Sequence, residues 1–514
     1  MKRRGACRVA LVDIASFTED VCSPLSSACL MVHARKALGR RIDCRLFQYG
    51  PGRRRRMVAA ALRDLAAFAP RVVGISCYFW NVEAALALAR ALKRRRPALR
   101  VVLGGPEVHP GRAALLRAKT ADALVLGEGE ETLVELLRRL LDGRSWAGTP
   151  GALAMGALRP VRGPRRAFIE PLDRVPSPWT AGAFPRHGAV WTMALLETAR
   201  GCPMDCSFCT WTYRRTKMRR LSDARVKADL KVLARLPVTK VFVCDSDFFL
   251  DRGRGLRLAR HLRRLGEKKG IFWSMQVGSD HLDAEVLKAT DHRCFGLGVG
   301  VESLSPGVLR LNGRNPDLRR IKAALDCLRR RPTRAEVQLQ LIFALPGETR
   351  ESFLAGLDKL LAVPGARPIV LCAQALPGSR LAGPMRHLVR RRRRPPHYVV
   401  ATNTLPEREY RELRRATFEL LLLMKHPPTR DLLRRLAKKR AGSITAVFAA
   451  VRRGLDPGAR SILGKAWRRY SRFPVREHYS VNSEGRLALS AAQEARLFAG
   501  VQAAAWAERP GAGR

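Results

Sequence analysis

Three observations predict an α/β protein made of two parallel β/α units and a helical tail. Short β-like apolar runs alternate with amphipathic helical stretches over residues 1–145. The same alternation returns over 189–385, and from 386 onward it gives way to helical periodicity. Strands that alternate with helices fold as a parallel sheet covered by those helices.

In the first unit, strands are expected at 9–14, 44–48, 72–76, 101–103 and 123–126, with helices at 57–68, 82–95 and 131–141. This is a Rossmann-like parallel-sheet domain. The basic, then apolar start is too short for a signal peptide and is cut by Asp13, so it reads as the first strand. Ligands of such sheets bind outside the carboxyl ends of the strands. Those ends carry Ser76-Cys77-Tyr78-Phe79-Trp80-Asn81, Gly104-Gly105-Pro106-Glu107-Val108-His109 and Gly127-Glu128-Gly129-Glu130-Glu131-Thr132. Residues 146–188, rich in Gly, Pro and Arg, read as an extended linker.

The second unit has expected strands at 194–199, 240–244, 272–277, 296–300, 337–343 and 369–373. Six strands with intervening helices describe a partial (β/α)6 barrel, in which chemistry sits at the carboxyl ends of the strands. The basic run 390–394, followed by two prolines, reads as an exposed connection. The remainder, 386–514, is helical, for example over 407–423 and 429–438.

The 514 residues are 46% hydrophobic and carry a net charge of +52. This excludes a disordered chain, and no apolar run is long enough for a membrane helix, so no membrane insertion is expected. Arginine makes up most of the basic residues and is dispersed over many expected helices. Solvated helix faces therefore account for the charge better than a nucleic-acid footprint, which charge alone does not exclude. Twelve cysteines spread through a large chain fit reduced thiols in a cytoplasm.

Cys202, Cys206 and Cys209 stand in Ala199-Arg200-Gly201-Cys202-Pro203-Met204-Asp205-Cys206-Ser207-Phe208-Cys209, directly after the first barrel strand. Positions i, i+4 and i+7 share a helix face, but Gly201 and Pro203 mark a turn. Zinc usually takes four ligands, and no fourth Cys or His is near. Three thiolates suit three irons of a [4Fe–4S] cluster, leaving the fourth iron open.

On these residues and loops, 1–385 resembles the radical S-adenosylmethionine (SAM) enzymes that carry an N-terminal cobalamin (vitamin B12)-binding domain. The motifs concerned are Val72–Ser76, Leu103-Gly104-Gly105-Pro106 and Gly127–Thr132, in order before the C-x3-C-x2-C loop. The resemblance implies that Cys202, Cys206 and Cys209 bind the cluster. It implies SAM contacts from Asp245, Asp247, Glu302 and Ser303, and cobalamin contacts from Ser76, Tyr78, Gly104, Gly105, Gly127 and Gly129. The aromatics 78–80 are placed to cover the corrin face. The chain has no Asp-x-His-x-x-Gly, so cobalt without a histidine ligand is implied. Leu345–Thr349 and Leu376–Ser379 resemble the family's loops after strands five and six. There Ala344 stands where many relatives have glycine, and Glu348 reads as a cap of the next helix.

The implied activity is reductive SAM cleavage with C-methylation of an unactivated carbon in a natural product, peptide or cofactor precursor. Ring formation and rearrangement occur in the same family. The implied partners are a small-molecule or peptide substrate and an electron donor such as flavodoxin or ferredoxin. Methylthiotransfer would need a second cluster, for which Cys22, Cys44 and Cys77 are the available N-terminal thiols, and a β-barrel tail. A cobalamin- or cluster-binding sensor is the non-enzymatic alternative.

Overall fold

The computed structural model describes residues 6–15, 21–50, 54–184, 191–211, 216–314, 317–439, 442–472 and 489–507. The expected boundary at 188/189 lies outside the described residues.

The first sheet contains β1 (Cys7–Ile14), β2 (Ile42–Tyr49), β3 (Val72–Ser76), β4 (Arg100–Gly104), β5 (Ala123–Val125), β6 (Ala152–Met155) and β7 (Pro160–Arg162). Its order is β2-β1-β3-β4-β5-β6-β7, with the first five strands parallel. Alternate residues of β1 serve opposite cores, as the period of a strand requires. Val9 and Leu11 pack with α1 (Leu25–Leu38) and α4 (Glu130–Leu141). Ala10, Val12 and Ile14 pack with α2 (Arg54–Phe68) and α3 (Val82–Arg95). The strand order reverses between β1 and β3, the position at which such sheets bind ligands.

The structure corrects one boundary. β6 and β7 form an antiparallel hairpin that extends the first sheet, so the expected linker begins inside that sheet. The following stretch is also packed, with Ile169 and Val175 set against Cys29 and with Trp179 and Phe184 buried in the barrel core.

The second sheet is six-stranded and parallel. Its strands are β8 (Ala194–Leu196), β11 (Lys240–Val243), β12 (Phe272–Gly278), β13 (Phe295–Glu302), β14 (Glu336–Phe343) and β15 (Ala366–Cys372), in chain order. An antiparallel ribbon, β9 (Ala199–Cys202) with β10 (Thr216–Arg220), stands between β8 and β11. The alternate set Trp273, Met275, Val277, Leu297 and Val299 is buried toward the helices. The opposite face carries Ser274, Gln276, Gly296, Gly298 and Gly300.

The 390–394 run is not a plain connection: β16 (Val389–Arg391) pairs with β17 (Val399–Thr402), although its arginines remain exposed. Helices of the tail, including Glu407–Lys425 and Pro427–Lys439, join the same hydrophobic core as the barrel. Phe343 of β14 lies 5.0 Å from Tyr410 of the tail. The α/β fold class with a helical C-terminal region therefore stands.

Candidate functional site

The cluster loop starts from β9. Gly201 has φ +110°, and a Cβ there would sit 2.3 Å from the Lys217 carbonyl oxygen, so only glycine lets the ribbon close before Cys202. The loop is then fastened to the barrel. Ser207 donates its backbone N–H to the Asn312 carbonyl at 2.8 Å and its hydroxyl to Asn312 Oδ1 at 2.6 Å. Leu381 donates its N–H to the Ser207 carbonyl at 3.0 Å.

The three cysteines are free and partly exposed. Among the described residues, no three or more His, Cys, Asp or Glu side chains gather tightly enough to hold a single metal ion. Burial pushes the Cys206 thiol up to about 12 and the Cys209 thiol up to about 11. Cys209 also raises Cys206, Cys202 raises Cys209, and Arg314 donates to Cys206. Trp211 N–H points to Cys209 Sγ at 3.4 Å.

The carboxylates expected to hold SAM each have partners within the chain. Asp245 is buried and accepts from Thr198 N–H at 2.8 Å, Ala199 N–H at 3.0 Å and the Thr198 hydroxyl. Burial still raises its carboxyl above the usual range despite those bonds. Its oxygens thus organise the start of the cluster ribbon. Asp247 accepts from Phe249 N–H at 3.1 Å and meets His281 Nδ1 at 2.6 Å, and that bond raises the His281 pKa.

Glu302 has φ +64°, a strained position for a non-glycine residue, and its carboxylate lies 3.6 Å from Arg314. Arg314 also donates to the Gly300 carbonyl at 2.6 Å, while its buried Nε has no partner. Ser303 is buried, accepts the Ser305 N–H at 3.1 Å, and bonds Glu348. Thr349, rather than Glu348, caps the next helix, in a box with Ser352. Ala344 has φ +66°, a left-handed conformation that glycine adopts without strain.

In the first domain, the expected cobalamin residues line the carboxyl ends of β3, β4 and β5. The Ser76 hydroxyl is 3.0 Å from that of Ser27, and the Tyr78 hydroxyl is 3.2 Å from that of Ser26. Tyr78 stacks on Trp80 at 4.4 Å. A Cβ on Gly127 would meet nothing within 4 Å, so open space borders this loop, which is what a bulky ligand requires. Gly105 is glycine for a different reason: at φ +100° a Cβ would sit 2.6 Å from the Cys77 carbonyl oxygen. Gly104 would tolerate a methyl, at 3.7 Å from Val125 Cβ, whereas on Gly129 it would press on Leu30 at 3.0 Å.

Sequence reasoning did not single out Arg200, Arg219, Asn312, Arg314 or His281. Charged residues in so basic a chain carry no spacing signal. The second-cluster thiols do not meet: Cys44 and Cys77 are buried in cores on opposite faces of the first sheet.

The radical SAM superfamily model matches residues 196–360, and the B12 binding domain model matches residues 33–137. The chain is 31% identical over 316 residues to "Cobalamin-dependent radical SAM methyltransferase TokK" of Streptomyces tokunonensis, covering 57% of this chain and 45% of that protein. It is 32% identical over 324 residues to 2-(S-pantetheinyl)-carbapenam-3-carboxylate methyltransferase of Streptantibioticus cattleyicolor, covering 59% and 46%. The chain thus spans less than half the length of these relatives. Among solved structures, OxsB with aqua-cobalamin and SAM bound superposes with TM-score 0.63 at 16% identity, covering 97% of this chain and 79% of that one. TsrM from Kitasatospora setae, with cobalamin and a [4Fe–4S] cluster bound, gives 0.58 at 18% identity, covering 75% and 76%. These two likenesses show a shared fold. Among the described residues, no helix is long and apolar enough to cross a membrane. Residues 33–137 thus match a B12 binding domain and residues 196–360 the radical SAM superfamily, the pairing of domains that the motifs imply.

Proposed function

We propose that this protein is a cobalamin-dependent radical SAM methyltransferase acting on an unactivated carbon of a natural product, peptide or cofactor precursor. The observation that supports this reading is a contact between the two segments expected to carry the cofactor sites. The Gly127–Gly129 loop of the first domain touches the ribbon that ends in Cys202, through Glu128 and Arg219 at 2.6 Å. The methyltransferase names of the two relatives at 31 and 32% identity support the same activity.

In this proposal Cys202, Cys206 and Cys209 hold the cluster and leave one iron free. When bound, the cofactors supply a hydrogen-abstracting adenosyl radical from one SAM and a methyl group from a second, with two electrons drawn from an outside donor. The chain's own residues position and insulate. Asp245 fixes the strand before Cys202, and Arg314 offsets negative charge beside Cys206. Glu302, Ser303 and Asp247 border the carboxyl ends of the barrel strands where SAM is to be held. Tyr78 and Trp80 wall the first-domain crevice. A reducing cytoplasm and a low-potential flavodoxin- or ferredoxin-type donor go with this chemistry.

Anaerobic reconstitution with iron, sulfide and hydroxocobalamin, followed by reduction with SAM, tests the reading. About four irons per chain, bound cobalt and SAM turnover are expected. A preparation that binds neither cobalt nor iron overturns it.

A further inference from the structure

Arg200 and Arg219 are direct cross-strand partners in the β9/β10 ribbon. Two like charges in that position destabilise a ribbon unless anions lie between them. Both reach Glu128, which stands between Gly127 and Gly129. Arg219 grips it with two nitrogens, at 2.6 and 3.1 Å, and Arg200 approaches to 3.6 Å. Arg200 also pairs with Glu130 at 2.8 Å and Glu197 at 2.9 Å. Arg219 donates to the Ile169 carbonyl at 2.9 Å and lies 4.7 Å over the Phe168 ring. Water is nearly excluded, since the side chains of Arg219 and Glu128 are 6% and 10% exposed. Burial raises the Glu130 carboxyl, yet Arg200 holds it below the usual range.

We propose that Arg200 and Arg219 are positioning residues that lock the cluster-bearing strand to the Gly127–Gly129 loop, so that cobalamin affinity in the first domain depends on two side chains of the barrel. This rests on the reading of that loop as a cobalamin contact. Arg219 lies outside both the glycine loop and the cysteine triplet and acts through Glu128. Without its guanidinium, Glu128 becomes a buried anion with a weakened partner, and the loop must shift to hydrate it. Removing both charges is milder, because nothing is then left uncompensated.

The test is the hydroxocobalamin dissociation constant of the full chain, read by absorbance, for the parent, Arg219→Met, Glu128→Gln and the double variant. Gln at 128 keeps an acceptor for the Ile169 N–H, which Glu128 holds at 3.1 Å. Arg219→Met is expected to weaken binding about tenfold or more, with the double variant within about threefold of the parent. Arg174→Ala, which removes the exposed pair with Glu131 at 3.2 Å, leaves affinity unchanged. If Arg219→Met does not fold, Arg219→Lys replaces it; this variant keeps the charge, loses the fork and is expected to weaken binding about fivefold. Parent-like affinity in the folded Arg219 variant, or a double variant as weak as the two losses added, overturns the lock. A parent that binds no hydroxocobalamin overturns the B12 reading together with the lock.

Discussion

Replacing Asp245 separates two roles for this residue, anchoring the cluster ribbon and contacting SAM. Its carboxylate accepts from Thr198 N–H, Ala199 N–H and the Thr198 hydroxyl, and all three residues are buried. Asp245→Ala leaves three donors without an acceptor. An orphaned buried donor costs about 1–3 kcal/mol, so the loss is at least about 3 kcal/mol where water enters only in part. Asp245→Asn keeps one oxygen for the two backbone donors, and the Thr198 hydroxyl can rotate to accept; its loss is about 1 kcal/mol. Thr198 and Ala199 run directly into Arg200-Gly201-Cys202, so a slack strand here misplaces the first thiolate. Guanidinium denaturation gives the stability difference, and iron per chain after anaerobic reconstitution gives the cluster yield. The Ala variant is expected to be destabilised and iron-poor, with the Asn variant close to the parent in both. An Ala variant with parental stability and iron but weakened SAM binding would refute the anchoring role and restore the SAM contact.

Single replacements of Cys202, Cys206 or Cys209 by Ala abolish SAM cleavage, and measured turnover above the background of the triple variant would contradict the cluster assignment. Gly105→Ala places a methyl 2.6 Å from the Cys77 carbonyl oxygen at φ +100°, and should cost about 3 kcal/mol or more by chemical denaturation. Asp13 gives a pH dependence. Burial pushes its carboxyl up to about 6 from 3.8, against a hydrogen bond from Gln48. The stability tied to its proton is fully present below about pH 4 and is lost as pH rises through about 6. Asp13→Asn is therefore neutral near pH 4 and stabilising by up to about 3 kcal/mol at pH 8. Melting curves of both proteins across that range check the sign.

The strands and helices of both α/β units were legible because their buried faces leave period-2 and period-3.6 patterns. β1 reads as a nearly continuous apolar run since both its faces are covered. The β9/β10 ribbon left no such mark. Ala199–Cys202 and Thr216–Arg220 contain few apolar residues, and their pairing is set by Gly201 and backbone geometry. The hairpin at β6 and β7 was hidden because its strands have only four and three residues, and the second is Pro160-Val161-Arg162. At the site, the cysteine spacing was visible because ligand geometry constrains it. The partners of Asp245 were not, because they are backbone groups brought near by folding. The Arg200–Glu130 and Arg219–Glu128 pairs were equally invisible among so many arginines, where only burial distinguishes a lock from a solvated face.

The central claim is that one chain joins a cluster that cleaves SAM to a sheet that binds cobalamin. The most direct measurement follows SAM and its products in the anaerobically reconstituted, reduced protein, with bound cobalt quantified in the same sample. The account predicts stoichiometric cobalt and formation of 5′-deoxyadenosine with methionine or of S-adenosylhomocysteine, both lost in the triple Cys202, Cys206 and Cys209→Ala variant. Intact SAM in a sample shown to hold about four irons per chain, with no cobalt retained, would contradict it.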